Sequence, residues 1–135
     1  SYVRAWSERF REAERQRHER AERARALLPA LVRHLVERYG VRRVWLHGSL
    51  ADGAFHERSD IDLAAEGLPP GVALFRAGAE LDELARPLRV DLVPIEEARA
   101  PVRDKILRAG MAAPWLRRVL RRSRVSRLLL SHKST

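Results

Sequence analysis

Cysteine is absent from the 135 residues, which excludes a disulfide framework and any thiolate zinc site. No apolar run approaches the ~18 residues of a membrane span, and no charged-then-apolar leader opens the chain. A cytoplasmic protein is expected. Asparagine is also missing, with one methionine and one glutamine, a depletion that fits a thermophile and GC-rich codon usage equally well. Aromatic residues make up only 6%, against 45% hydrophobic and 33% charged. That balance describes a soluble globular chain with room for one domain, a modest core and appendages. There is no internal repeat.

Acidic residues are missing from one stretch in particular. From residue 114 onward there are seven basic residues and no acidic one, whereas residues 1–40 carry ten Arg against six Glu and residues 41–113 carry ten basic against twelve acidic. The formal net charge of +9 therefore sits at the two ends and leaves the middle slightly acidic. The tail can be read as a nucleic-acid contact using arginine on phosphates, as a partner-docking helix built on Trp115, Leu116, Val119 and Leu120, or as a disordered segment.

Taken in order, Tyr2, Trp6, Phe10 and Ala13 fall on one helical face. The segment to residue 25 is an almost wholly charged helix, either solvated and laced with Glu and Arg pairs or docked by its aromatics on a partner or a second copy of the chain. Leu27, Leu28, Leu31, Val32, Leu35, Val36 and Tyr39 form an amphipathic stripe, with Pro29 expected in the first turn of a new helix and Gly40 as its stop. A strand over 41–46 follows, then a short helix over 50–55 and a second strand over 61–65. The loop 67–71 leads into a helix over 72–85 with Leu74, Ala77, Leu81 and Leu84 inward. Pro87 ends that helix, a third strand spans 88–95, and a last helix spans 96–110 with Val102, Ile106 and Leu107 as its apolar residues. The fold class is α/β (α+β), a small mixed β-sheet of at least three strands with helices packed on one side. The expected divisions are an N-terminal charged helical extension at 1–26, a catalytic domain at 27–113 and a basic C-terminal tail at 114–135.

Residues 44–63 organise this plan. A short apolar strand ends in Gly48-Ser49, where glycine lets the backbone approach a phosphate and the Ser hydroxyl and nearby amides can donate to it. The short helix that follows turns its positive N-terminus toward the same place. Ten residues on, Asp60 and Asp62 share one strand face roughly 6.5 Å apart along the chain, so two carboxylates can converge on one cation. His47 is read as a packed, non-catalytic residue and Glu66 as a solvated one. No Gly-x-Ser-x-Gly turn accompanies Ser49, which sets aside a Ser-His-Asp hydrolase.

The pattern Gly48-Ser49, ten residues, Asp60-x-Asp62, with Gly53 in the spacer and Ser59 before the first Asp, resembles the minimal nucleotidyltransferases of the DNA polymerase β superfamily over about residues 27–110. That family needs a third carboxylate on a later strand, and Asp91 in Val90-Asp91-Leu92-Val93 supplies one. The resemblance implies transfer of AMP from ATP with two Mg²⁺ ions, about 3.5 to 4 Å apart in such mechanisms. Asp60 and Asp62 would hold the metal that carries the triphosphate, while Asp91 would complete the second metal site and help take the proton from the attacking hydroxyl. Gly48 and Ser49 would hold the terminal phosphates. Relatives carry basic residues in the spacer, where this chain has Asp52 and His56 and a single clear cation, Arg58; Arg42 or Arg43 could compensate. Minimal members commonly neutralise an all-helical HEPN-type toxin by adenylylating it, which implies a protein partner and an antitoxin role. The competing readings are a catalytically weak interaction module that binds a protein or RNA, and a transferase acting on a small molecule or an RNA 3′ end.

Overall fold

The structure is a computed structural model that describes residues 1–112. The tail anchors Trp115, Leu116, Val119 and Leu120 and its arginines lie outside the described residues. Helix α1 runs unbroken from Tyr2 to Tyr39. Ser1 caps it by accepting from the Arg4 amide at 3.3 Å, and the Gly40 amide closes the other end on the carbonyls of Leu35 and Val36. The new helix expected at Pro29 does not occur, because Pro29 lies inside α1. The physical reason is a continuous buried stripe of Ala21, Ala24, Leu28, Leu31, Val32 and Leu35. Its helical spacing passes through residue 29 without a break, so tertiary burial outweighs the hydrogen bond and steric fit lost at proline.

The first half of α1 is held differently. Tyr2, Val3, Trp6 and Phe10 are exposed, while Arg15 bridges to Glu12 at 2.6 Å and Arg25 to Glu22 at 3.0 Å. Arg20 reaches across to donate to the Glu57 carbonyl at 2.9 Å, tying the charged half of the helix to the loop that precedes the acidic pair.

After α1 come β1 (Arg43–His47), α2 (Gly48–Asp52), β2 (Ile61–Glu66), α3 (Val72–Ala85), β3 (Val90–Pro94), a 3-10 turn (Ile95–Glu97), α4 (Ala100–Ala109) and β4 (Met111–Ala112). The sheet order is β3-β2-β1-β4. β1 pairs antiparallel with β2 and β4, and β2 pairs parallel with β3 through the α3 crossover, which makes the sheet mixed as expected. Strand alternation sorts the side chains. Val44, Leu46, Ile61, Leu63, Ala65 and Val90 join the core with α1 and α3, whereas Trp45, Ala64 and Ile95 form a smaller cluster with Ile106 of α4. The two longest helices therefore share one face, and α4 covers part of the other.

One inward assignment changes. Leu84 is 45% exposed and Ala85 is buried in its place, because the buried row Ala77, Leu81, Ala85 advances by four residues and leaves 84 on the flank. Val102 and Leu107 are each half exposed, since the last helix starts at Ala100 with Pro101 in its first turn and turns only Ile106 fully inward. Arg42 and Arg43 do not serve the Gly48 end of β1. Both pair with Glu66, at 3.7 and 2.5 Å, at the opposite end of the strand. Half-buried Glu80 of α3 accepts from His34, Arg38 and Tyr39 of α1 at 2.9, 2.9 and 2.5 Å, cross-linking the helical layer. Among the described residues no helix is long and apolar enough to cross a membrane.

Candidate active site

The register of the sheet builds the site. Asp62 stands directly opposite His47 of β1 and Asp91 of β3, so these three residues form one row across three strands on the face away from α1 and α3. Asp60 lies just before β2, two residues from Asp62, and is exposed, as is Asp91. The loop that delivers Asp60 is closed on itself: the Ser59 hydroxyl accepts from the His56 amide, the Ser59 amide donates to the His56 carbonyl, and the Arg58 amide donates to His56 Nδ1, at 3.0, 3.0 and 3.1 Å. The Ile61 amide then donates to the Arg89 carbonyl at 2.8 Å, locking β2 to β3. Asp82 of α3 accepts from the Val90 amide at 2.8 Å and so sets the start of the strand that presents Asp91. Nothing in the local sequence marks Asp82 for this role, because its partner is eight residues away across the Arg86-Pro87 turn.

Electrostatics mark the row. Asp62 has its pKa pushed up to about 6, first by burial and then by the negative charges of Asp91 and Asp60. The ion pairs among the described residues include none of these three carboxylates. Like charges gathered without a counter-cation favour either a proton or a bound cation. Among the described residues no three His, Cys, Asp or Glu side chains are already grouped to hold a metal. That still fits Mg²⁺, which is commonly held by one or two carboxylates, with substrate phosphates and water filling the remaining positions.

Gly48 is shaped by Asp62. Its φ is +71°, and a Cβ built on it would overlap Asp62 Oδ2 and lie 2.9 Å from Asp62 Cγ. The strand exit and the carboxylate therefore occupy adjoining space that only glycine leaves open. Ser49 follows in the first turn of α2, half-buried. Arg58 lies in the exposed turn two residues before Asp60.

His47, which the sequence marks as a packed, non-catalytic residue, belongs to this row, and Lys105, which no motif marks, stands beside it. His47 is half-buried and its Nε2 has no hydrogen-bond partner. Burial pulls its pKa down, with the charge of Lys105 acting the same way, while Asp91, a hydrogen bond to the Leu63 backbone and Asp52 oppose the shift. A cleft of about 400 Å³ opens between α2 and α4, with His47, Gly48 and Asp52 on one wall and Lys105 and Ile106 on the other. Lys105 is invisible to motif reading because it lies 45 residues from Asp60 and reaches the site only through the fold.

Residues 31–112 match the family Polymerase beta, Nucleotidyltransferase. Among solved structures the chain is similar to a candidate minimal nucleotidyltransferase at 31% identity, covering 67% of this chain and 93% of that one with a TM-score of 0.55. It is also similar to a toxin-antitoxin with AMP-PNP at 23% identity, covering 62% and 70% with a TM-score of 0.55. A toxin-antitoxin MntA-HpeT mutant is similar at 21% identity, covering 63% and 67% with a TM-score of 0.51. The last two likenesses are of fold. No curated protein matches the chain.

Proposed function

Because the chain belongs to the polymerase beta nucleotidyltransferase family, we propose that it transfers AMP from ATP to a hydroxyl of a protein partner in a Mg²⁺-dependent reaction. The observation that carries this reading is the row of Asp62 and Asp91 with Gly48 seated against the Asp62 carboxylate, since it brings the glycine exit of the strand and an unneutralised acidic cluster to the same point. In this reading Asp60, Asp62 and Asp91 are the metal-binding and catalytic residues, and Gly48, Ser49 and Arg58 bind the nucleotide. Mg²⁺ held there would neutralise charge on the attacking and leaving oxygens. Asp91, exposed at the end of the row, takes the proton of the attacking hydroxyl. The new bond joins that oxygen to the α-phosphorus, and the bond from the α-phosphorus to the bridging oxygen breaks, releasing pyrophosphate.

A protein acceptor is favoured by surface and charge. Tyr2, Trp6 and Phe10 stand 79%, 58% and 63% exposed at four-residue spacing, the anchor pattern of a helix that lies in a groove. The acidic residues outnumber the basic ones over 41–113, which disfavours a polyanionic acceptor near the chemistry. The likeness to toxin-antitoxin structures supports a toxin as the partner, and a HEPN-type helical toxin is the one we assign to it on family resemblance.

Co-expression with the protein of the neighbouring reading frame tests this: intact-mass spectrometry should show added AMP on that protein. An unmodified neighbour, with the nucleotide appearing instead on an RNA 3′ end or an aminoglycoside, would reject the protein acceptor. Ser49→Ala is expected to weaken ATP binding by about 1 to 3 kcal/mol, the cost of losing a hydrogen bond to a charged group, with an unchanged far-UV spectrum. Unchanged affinity by calorimetry would return Gly48-Ser49 to an ordinary turn.

A further inference from the structure

We propose that Lys105 of α4 is the cation that holds the distal phosphates of the nucleoside triphosphate, in the cleft between α2 and α4. The inference rests on the nucleotidyltransferase reading above and names a contact that reading lacks. Its starting point is a deficit, because the segment between Ser49 and Asp60 holds one cation, Arg58, and two carboxylates, Asp52 and Glu57. Arg42 and Arg43 are engaged by Glu66 at the far end of β1. Lys105 is the only lysine among the described residues, takes part in none of their ion pairs, and shares the cleft with Gly48 and His47.

The placement of Lys105 is held from both sides along α4. Ile106, next in sequence, is buried with Trp45 and Ala64. At the end of the helix the Gly110 amide donates to the Ile106 carbonyl at 2.8 Å, and a Cβ on Gly110 would meet that carbonyl and stand 3.3 Å from the Leu46 carbonyl oxygen. This close approach clamps α4 against β1 at the strand end that carries the site. The facing wall supplies the unpartnered His47 Nε2. Asp52 on the same wall offsets part of the positive charge. A compact ammonium on a flexible stem suits a mobile terminal phosphate better than a fixed fork would.

Calorimetry of the full chain with MgCl₂, using ATP and inorganic tripolyphosphate as separate probes, tests the assignment. Lys105→Met should weaken both probes by about ten- to a hundredfold, the range for losing a hydrogen bond to a charged group. Lys105→Arg should recover most of that loss. Arg103→Met, on the same helix but off the cleft, should change neither. Lys105 is exposed, so the melting temperature should stay put and a binding loss will not reflect unfolding. Loss of ATP with tripolyphosphate unaffected would overturn the proposal by making the cleft a nucleoside pocket. Equal binding by wild type and Lys105→Met would overturn it while leaving the nucleotidyltransferase reading in place. A wild-type chain that binds neither probe overturns that reading and the proposal together.

Discussion

Asp62→Asn is expected to abolish AMP transfer and, at the same time, to make the protein more stable at neutral pH. The loss should be roughly a thousandfold or more, several kcal/mol of charge stabilisation withdrawn from the phosphoryl step, because Asp62 is the central member of the row and lies against Gly48. The gain in stability has the opposite origin. An unfolded Asp titrates near 3.8, but Asp62 in the fold titrates at about 6, so the folded state binds the proton more tightly than the unfolded one. The contribution of Asp62 to stability therefore falls as pH rises from about 4 through 6, and its penalty is complete above that. Asparagine keeps the shape and removes the charge. The variant should melt a few degrees above wild type at pH 8, corresponding to about 1 kcal/mol once solvent screening is allowed for. The difference should close below pH 4, where both side chains are neutral. Thermal melts of the two proteins at pH 3.5 and pH 8 check the sign. A variant that melts lower at pH 8 would show that the carboxylate is not repelled by Asp60 and Asp91 in the way described.

The same row explains what could and could not be read from the sequence. Strand alternation puts Asp60 and Asp62 on one side of Ile61, and a Gly-Ser pair after an apolar run is a local signal, so the strand, turn and acidic pair are legible from neighbouring residues alone. The third strand was legible too, because Val90, Leu92 and Asp91 alternate after a proline that stops α3. Registry between strands is a different kind of information. That Asp91 falls opposite Asp62 depends on Asp82 holding the Val90 amide and on Ile61 bonding to Arg89, contacts between residues that sequence spacing does not link. Lys105 and His47 come to line one cleft for a similar reason, through the burial of Ile106 and the clamp at Gly110. Pro29 erred in the other direction. A strong local rule predicts a helix start, and the apolar stripe that runs from Ala21 to Val36 overrides it. Arg42 and Arg43 were available as phosphate ligands only while the position of Glu66 was unknown, since a strand partner at the opposite end claims both.

Gly48→Ala should reproduce the loss of activity of Asp62→Asn while lowering stability, and this opposite sign separates a steric cause from an electrostatic one. Two costs add at this position. The backbone φ of +71° lies in the left-handed region, where a side chain costs roughly 1 to 2 kcal/mol. The new methyl would also overlap Asp62 Oδ2, so the carboxylate must leave its place in the row, and a cation site that depends on its position is lost with it. Gly53 provides the control. It has a similar φ of +78° but nothing within 4 Å of a built Cβ, so Gly53→Ala should incur the backbone cost alone and keep its activity. Denaturant melts and a transfer assay on both variants give the comparison. Shortening the obstructing side chain completes the test: in the double variant Gly48→Ala with Asp62→Ala, the steric part of the destabilisation should be relieved, leaving a deficit relative to Asp62→Ala alone that is close to that of Gly53→Ala relative to wild type, while activity stays absent. If Gly48→Ala instead matches Gly53→Ala in both stability and activity, the approach of the strand exit to Asp62 does not position the carboxylate, and the row loses its link to the phosphate-binding turn.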